Sequence, residues 1–128
     1  MPERFPPDDP REWLSRARSD LILAKAAGVG IYLEDLCSHA QQAAEKAVKA
    51  LLIRQRVDFP YVHDLAELLT LLERTGLSLP ESIRQSAKLT RFAVFTRYPG
   101  IASPISEEEY QEAVNLAEEV YRWVQEQI

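Results

Sequence analysis

The chain has 128 residues, which suits one domain with a single hydrophobic core. Apolar residues make up 46% and charged residues 27%, the balance of a globular protein rather than a disordered or fibrous one. The net charge of −5 argues against non-specific DNA binding by the whole molecule.

Membrane, disulfide and metal classes are also disfavoured by the sequence. No apolar run approaches the roughly 18–20 residues that span a bilayer, and the N-terminal residues do not resemble a signal peptide. We therefore expect a cytoplasmic protein with no membrane partner. The single Cys37 cannot form an internal disulfide, and we predict that it is simply packed. Two histidines and one cysteine show no zinc-ligand spacing, so no metal or other cofactor is expected.

The first predicted helix begins after Asp9, which can cap its free amides, with Glu12 as a capping-box partner. It runs to about Ala27, where glycines follow. The second spans about Tyr32 to Gln55 and has one face of apolar, mostly small residues, which implies close packing. Its opposite face is polar apart from Ile53. We therefore predict one buried side and one solvated side.

Three further helices follow from capping patterns. A capping box at Asp64 starts the third, which ends by Gly76. The fourth starts in the segment 78–81 and continues to about residue 95 or 96 before Tyr98-Pro99-Gly100 breaks it. Ser106 opens the fifth. No window favours a strand, and the short links favour antiparallel neighbours. The sequence predicts a single all-α domain over residues 1–128, an up-and-down antiparallel bundle of four to five helices.

The second helix carries the densest polar group, which comprises His39, Gln42, Glu45, Lys46 and Lys49. One interpretation is an ordinary solvated face, because Glu45 and Lys49 form an i,i+4 pair. The other is a surface on which Gln42, Lys46 and Lys49 meet phosphate or carboxylates of a partner.

Cations dominate the fourth helix, where Arg84, Lys88 and Arg91 share one face with no acid after Glu81. Either solvent or an anionic surface, whether RNA or an acidic protein patch, can face such a stripe. At the end of this helix, Arg97 and Tyr98 form a candidate anion site. Alternatively, Arg97 caps the last carbonyls and Tyr98 packs into the bundle.

The histidines are weak catalytic candidates. His63 directly precedes a helix start, where a turn or capping role is commoner than that of a general base. We interpret His39 in the same way, as a residue at the boundary of the second helix.

Four segments together resemble the HEPN family, whose name stands for higher eukaryotes and prokaryotes nucleotide-binding. They occur in the family's order and cover almost the whole chain, at residues 13–21, 37–51, 59–65 and 97–99. The most specific is the run Gln-Gln-Ala-Ala-Glu-Lys at residues 41–46. The resemblance implies a helical bundle that is usually a homodimer, often encoded beside a minimal nucleotidyltransferase as a toxin–antitoxin-like pair.

Many HEPN proteins are metal-independent ribonucleases, in which an arginine is followed four to six residues later by a histidine. Arg97 matches that arginine and Tyr98 the polar position beside it, but no histidine follows anywhere downstream. The other positions that match the family are Gln42, Glu45, Lys46, Lys49 and His63. Without the motif histidine, we expect binding to survive better than catalysis.

Three hypotheses result. The first is a HEPN-like homodimer that partners a separate nucleotidyltransferase and binds nucleotide or RNA phosphates through Arg97, Lys46 and Lys49. The second is a ribonuclease toxin that uses Arg97 with a displaced His63. The third is a structural adaptor whose basic fourth helix, including Arg91, docks on an acidic partner. The missing histidine favours the first and third, so the sequence argues against an enzyme.

Overall fold

The computed structural model describes residues 1–93 and 104–128, and within these ranges it contains helices and no strands. The elements in chain order are α1 (Pro10–Ala24), α2 (Leu33–Arg54), α3 (Leu65–Glu73), α4 (Glu81–Gln85), a 3₁₀ segment (Ser86–Ala93) and α5 (Glu107–Gln127). The predicted all-α bundle is confirmed. No described helix is long and apolar enough to cross a bilayer.

α2 is the central element of the bundle, and it contacts α1, α3, the 3₁₀ segment and α5. The alanines of α2 are fully buried, at positions 40, 43, 44, 47 and 50. Small side chains let neighbouring helices approach closely, which the sequence predicted. α1 runs antiparallel to α2, because Trp13 lies against Lys49 whereas Asp20, farther along α1, bonds to His39.

Side-chain caps fix several helix starts. Asp9 accepts from the Arg11 amide at 2.9 Å, and Asp64 accepts from the Ala66 amide at 3.0 Å. Ser106 forms the predicted capping box of α5. Two capping boxes were wrongly predicted. Glu12 accepts a bond from the Phe5 amide, so it secures the chain before α1, and Asp64 caps α3 without a reciprocal bond from its own amide to Glu67.

The fourth helix also differs from the prediction of one continuous helix. Residues 81–85 are α-helical, and a 3₁₀ segment follows over residues 86–93, whereas the predicted end at residue 95 or 96 lies outside the described residues. At the junction, the hydroxyl of Ser86 donates to the carbonyl of Ile83. A side chain that bonds to a nearby carbonyl competes with the α-helical pattern, which favours the tighter winding.

The link between α2 and α3 folds back along α2 instead of turning at its end. His63, only two residues before α3, reaches Glu45 in the middle of α2. The link therefore places Phe59 and His63 over a face of α2 that the helical periodicity of the sequence predicted to be solvated.

Candidate functional site

Glu45 is the centre of a buried polar cluster, which we call the Glu45 cluster (Gln41, Glu45, Lys49 and His63). The Glu45 and Lys49 side chains are only 4% and 6% exposed, and their charged atoms lie 3.0 Å apart. Oε1 of Glu45 accepts from Gln41 Nε2 at 2.9 Å and bonds to His63 Nδ1 at 2.8 Å. Both carboxylate oxygens therefore have partners, which a buried charge requires.

The Glu45 carboxylate also fixes the orientation of His63. An ionised carboxylate only accepts hydrogen bonds, so Nδ1 of His63 carries the hydrogen. Nε2 is then the atom that this half-exposed ring offers to a ligand. Burial by itself raises the pKa of the Glu45 carboxyl, but the hydrogen bonds that it accepts, first of all from His63, outweigh burial. The pKa of Glu45 thus lies below its ordinary value.

Two aromatic rings enclose the ammonium group of Lys49. Its Nζ lies 5.8 Å from the ring centroid of Trp13 and 5.6 Å from that of Phe59. The two rings meet edge to face at 6.2 Å. Cation–π attraction and the ion pair with Glu45 together stabilise the buried ammonium group of Lys49. The predicted solvated face of α2 is wrong at this point, because α1 and the returning link cover it.

Asp20 organises a second group that likewise joins a carboxylate to a histidine and a lysine, which we call the Asp20 group (Asp20, His39 and Lys46). The carboxylate of Asp20 is largely buried between α1 and α2. It accepts from Lys46 Nζ at 2.6 Å and bonds to His39 Nδ1 at 3.1 Å. Both histidines of the chain are thus held through Nδ1 by a buried carboxylate that also binds a lysine.

The Asp20 group corrects one expectation: His39 is not a boundary residue, since it lies inside α2 and joins α2 to α1. The Lys46 ammonium is paired with Asp20, and its role in phosphate binding stays a prediction. Gln42 is half-buried, and its Nε2 donates to Oε1 of Gln41 at 2.8 Å, so it contacts the Glu45 cluster.

The basic stripe of the fourth helical segment is neutralised by acids from neighbouring elements. Arg84 pairs with Glu73 of α3 at 2.6 Å, and Arg91 pairs with Glu109 of α5 at 2.8 Å. Lys88 lies 3.7 Å from Glu112. The sequence could not show this, because the acids come from other helices. The stripe is therefore no uncompensated anion-binding surface.

A family model for the HEPN domain matches residues 10–127 of the chain. The chain belongs to the HEPN family. No curated protein is significantly similar to it.

Two solved structures are similar over almost the whole HEPN domain. The crystal structure of TT1696 from Thermus thermophilus is 34% identical with a TM-score of 0.81, covering 93% of this chain and 98% of that one. The crystal structure of ST0689, described as an archaeal HEPN homologue, is 32% identical with a TM-score of 0.75, covering 93% and 97%.

Some of the residues that carried the HEPN resemblance belong to the two polar groups, and others lie outside the described residues. The specific run at 41–46 supplies members of the Glu45 cluster and the Asp20 group. Arg97 and Tyr98 lie outside the described residues. Whether they meet Lys46 and Lys49 thus stays a prediction, although both lysines are already bound to carboxylates.

Sequence reasoning assigned no site role to four residues: Asp20 and Gln41, which belong to the two groups, and Trp13 and Phe59, whose rings lie against Lys49. Asp20 gave a signal, since it adjoins the buried stripe of Ala17, Leu21 and Ala24 on α1. An acid beside an apolar stripe calls for a partner on the facing helix. Phe59 gave none, because the course of a link cannot be read from helical periodicity.

Cys37 is buried, as predicted. Burial raises the pKa of its thiol to about 11, so the reactive thiolate is scarce at neutral pH.

Proposed function

We propose that this HEPN domain is a binding and interaction module that partners a separate minimal nucleotidyltransferase, in the manner of a toxin–antitoxin pair. One observation carries the interaction role. Large apolar side chains are exposed along residues 22–32, at the end of α1 and in the turn to α2. Contiguous exposed apolar surface is typical of protein contact sites.

Phosphate binding is the second part of the proposal. Lys46 and Lys49, the two lysines first assigned to it, are bound to carboxylates, so the role falls mainly to Arg97 and Tyr98. With the hydrogen on Nδ1, Nε2 of the half-exposed His39 and His63 rings can accept a hydrogen bond from a sugar hydroxyl of the ligand. The ligand class that this chemistry fits is a nucleotide or the phosphates of RNA.

The partner is tested by co-expression with the neighbouring gene, where that gene encodes a minimal nucleotidyltransferase. We expect the untagged HEPN chain to copurify with the tagged nucleotidyltransferase in a fixed ratio. A tagged nucleotidyltransferase encoded away from any HEPN gene is the control. Separate elution of the two proteins from size-exclusion chromatography would contradict the partnership.

Phosphate binding is tested by calorimetric titration of nucleotides and short single-stranded RNA. Loss of one charge-assisted hydrogen bond costs about 1.5–3 kcal/mol, so Arg97→Ala should weaken binding tenfold or more. Arg122→Ala, an exposed arginine on α5, is the matched control and should bind like wild type. Equal affinities in all three proteins would place the site elsewhere, and no heat from any ligand would remove this part of the proposal.

A ribonuclease with His63 in place of the motif histidine is the second candidate. The observation in its favour is the buried Glu45 carboxylate, which orients His63 and leaves Nε2 available. Carboxylate-oriented histidines often act in proton transfer. The adaptor hypothesis has less support, since the cations of its docking stripe are already paired.

A further inference from the structure

His39 presents the lone pair of its Nε2 atom at the surface of α2. The ionised carboxylate of Asp20 accepts the hydrogen of Nδ1 at 3.1 Å, so Nε2 carries no hydrogen. The side chain is 41% exposed, which leaves Nε2 accessible. A histidine that binds a metal ion through one ring nitrogen almost always donates the other to a carboxylate, a carbonyl or water. His39 and Asp20 have this arrangement.

The Nε2 edge of the ring is turned towards the first turn of α2. Asp20 contacts both His39 and Lys46, which lies farther along α2, so the Nδ1 edge is turned towards α1 and the later turns of α2. Nε2 is on the other edge of the ring. Side chains of a helix also lean towards its N-terminus, and for His39 this is the direction of Asp35 in the first turn.

Asp35 supplies a second ligand at a suitable spacing. It precedes His39 by one helical turn, and the Cβ atoms of such an i,i+4 pair are about 5–6 Å apart on one face. Asp35 is exposed, and no hydrogen bond or ion pair between described residues engages its carboxylate. Zn²⁺ lies about 2.0–2.2 Å from an imidazole nitrogen and from a carboxylate oxygen, so one ion can join donor atoms that are up to about 4 Å apart.

The charges at this end of α2 favour a cation. Asp20 and Asp35 are acids, and His39 is neutral when it offers Nε2. The ammonium of Lys46 is the nearby positive charge, and it binds Oδ2 of Asp20, whereas the imidazole binds Oδ1. Two carboxylates therefore face one ammonium, and the excess negative charge attracts a divalent ion.

We infer that Asp35 and His39 bind a divalent transition-metal ion and that Asp20 orients the imidazole for it. Water completes the coordination, because two protein ligands fill only part of the four positions that Zn²⁺ prefers. Imidazole suits zinc, copper and nickel, whereas Mg²⁺ prefers oxygen ligands. The spacing of cysteine and histidine in the sequence could not indicate this site, because one ligand is an aspartate and the orienting carboxylate comes from α1.

The second histidine of the chain provides an internal comparison. His63 is likewise bonded through Nδ1 to a carboxylate, that of Glu45. It lies before α3, so no helical spacing aligns an exposed acid with it. The adjacent Asp64 uses its carboxylate to cap α3. His63 thus has the orienting carboxylate without the second ligand, which makes His63→Ala a matched control.

Calorimetric titration of Ni²⁺ and Zn²⁺ into the chain, freed of any purification tag and without nucleotide, tests the site. Wild type should bind one ion per chain and should bind Mg²⁺ far more weakly. His39→Ala and Asp35→Asn each remove one ligand and should weaken binding at least as much as the loss of an outer partner, which costs roughly 10–100-fold. His63→Ala and Asp58→Asn, at an exposed acid of the link after α2, should bind like wild type.

Asp20→Asn tests the orienting carboxylate. It should weaken binding roughly 10–100-fold while both ligands remain. Because this substitution also deprives Lys46 of its partner, circular dichroism should first show an unchanged helix content. Asp35→Asn changes only an exposed side chain, so it tests the site even if Asp20→Asn does not fold.

NMR spectroscopy gives the position of the ion. Paramagnetic Ni²⁺ at less than one equivalent should broaden the amide signals of residues 35–39 before those around His63. Metal binding goes beyond the proposed function, and neither result depends on the other. The absence of binding in wild type, an unchanged affinity in Asp35→Asn, or an equal loss in His63→Ala would overturn the inference.

Discussion

At the scale of single residues, Glu45 and Lys49 show how far a helical pattern can be interpreted. Their i,i+4 pairing follows from the sequence, and the 3.0 Å ion pair confirms it. Their burial does not follow, because it depends on Trp13 from α1 and Phe59 from the returning link. Spacing along one helix reports which side chains share a face but not what covers that face.

The burial of the Glu45–Lys49 pair predicts that Glu45→Gln lowers the free energy of unfolding substantially. The substitution leaves the Lys49 ammonium charged and without its partner inside the fold, which typically costs about 3–5 kcal/mol. We expect a loss of that order in the free energy of unfolding, measured by urea denaturation at pH 7. Arg122→Ala, which breaks an exposed i,i+4 pair with Glu118, should cost less than about 1 kcal/mol. Equal costs for the two variants would contradict the buried pair.

The Glu45 carboxylate also predicts that the free energy of unfolding depends on pH. The pKa of Glu45 is lower in the folded chain than its ordinary value, so the unfolded chain takes up its proton first as the pH falls. The contribution of Glu45 is fully present above the ordinary glutamate pKa of about 4.3 and is lost as the pH falls through the folded value. The stability gap between wild type and Glu45→Gln should therefore narrow below about pH 4.3. A gap that stays constant from pH 7 to pH 3 would argue against the lowered pKa.

At the scale of helices, the starts are better predicted than the course of the chain between them. Asp9, Asp64 and Ser106 cap their helices as their sequence patterns indicated. The change from α-helix to 3₁₀ winding after residue 85 was not predicted, since a hydroxyl that bonds to a nearby carbonyl leaves no periodic signal. Capping residues stand at fixed positions relative to a helix start, whereas a serine that bonds to a carbonyl three residues back has no such fixed position.

The cap of α5 supports a quantitative prediction. Ser106 accepts from the Glu109 amide at 3.1 Å, and Glu109 accepts in return from the Ser106 amide. Ser106→Ala should lower the free energy of unfolding by about 1 kcal/mol, the usual value for a lost N-cap. Ser82→Ala, at an exposed serine of α4, is the control and should change stability by less than about 0.5 kcal/mol. Chemical denaturation distinguishes the two, and an unchanged midpoint for Ser106→Ala would exclude a capping contribution.

At the scale of the whole molecule, the family and the helical class were both accessible from sequence. The run at 41–46 and the order of the other segments indicated HEPN, which the family model over residues 10–127 confirms. The neutralisation of the basic stripe could not be predicted from the sequence. Arg84 and Arg91 find their acids on α3 and α5, and only the packing of the bundle brings those acids near.

At the scale of the whole molecule, the prediction concerns RNA cleavage. We expect negligible cleavage of labelled single-stranded RNA by the purified protein in the presence of EDTA, because no histidine follows Arg97. The loss of one acid–base group costs about 10²–10⁴ in rate. Arg97→Ala, His63→Ala and, as a control, Arg122→Ala complete the assay. Robust cleavage that disappears in the first two variants and persists in the control would favour the ribonuclease with a displaced histidine.

The central position of α2 has a consequence for the order in which the chain folds. α1 and α2 are neighbours in sequence and form the most extensive helix pair, so their hairpin needs only a short loop to close. α5 also packs on α2, but more than 50 residues separate the two helices, and closing that loop costs more entropy. We therefore expect the α1–α2 hairpin to form in the folding transition state and α5 to dock after it. Core substitutions in α5, such as Val120→Ala, should then mainly accelerate unfolding, whereas those in the hairpin should slow folding.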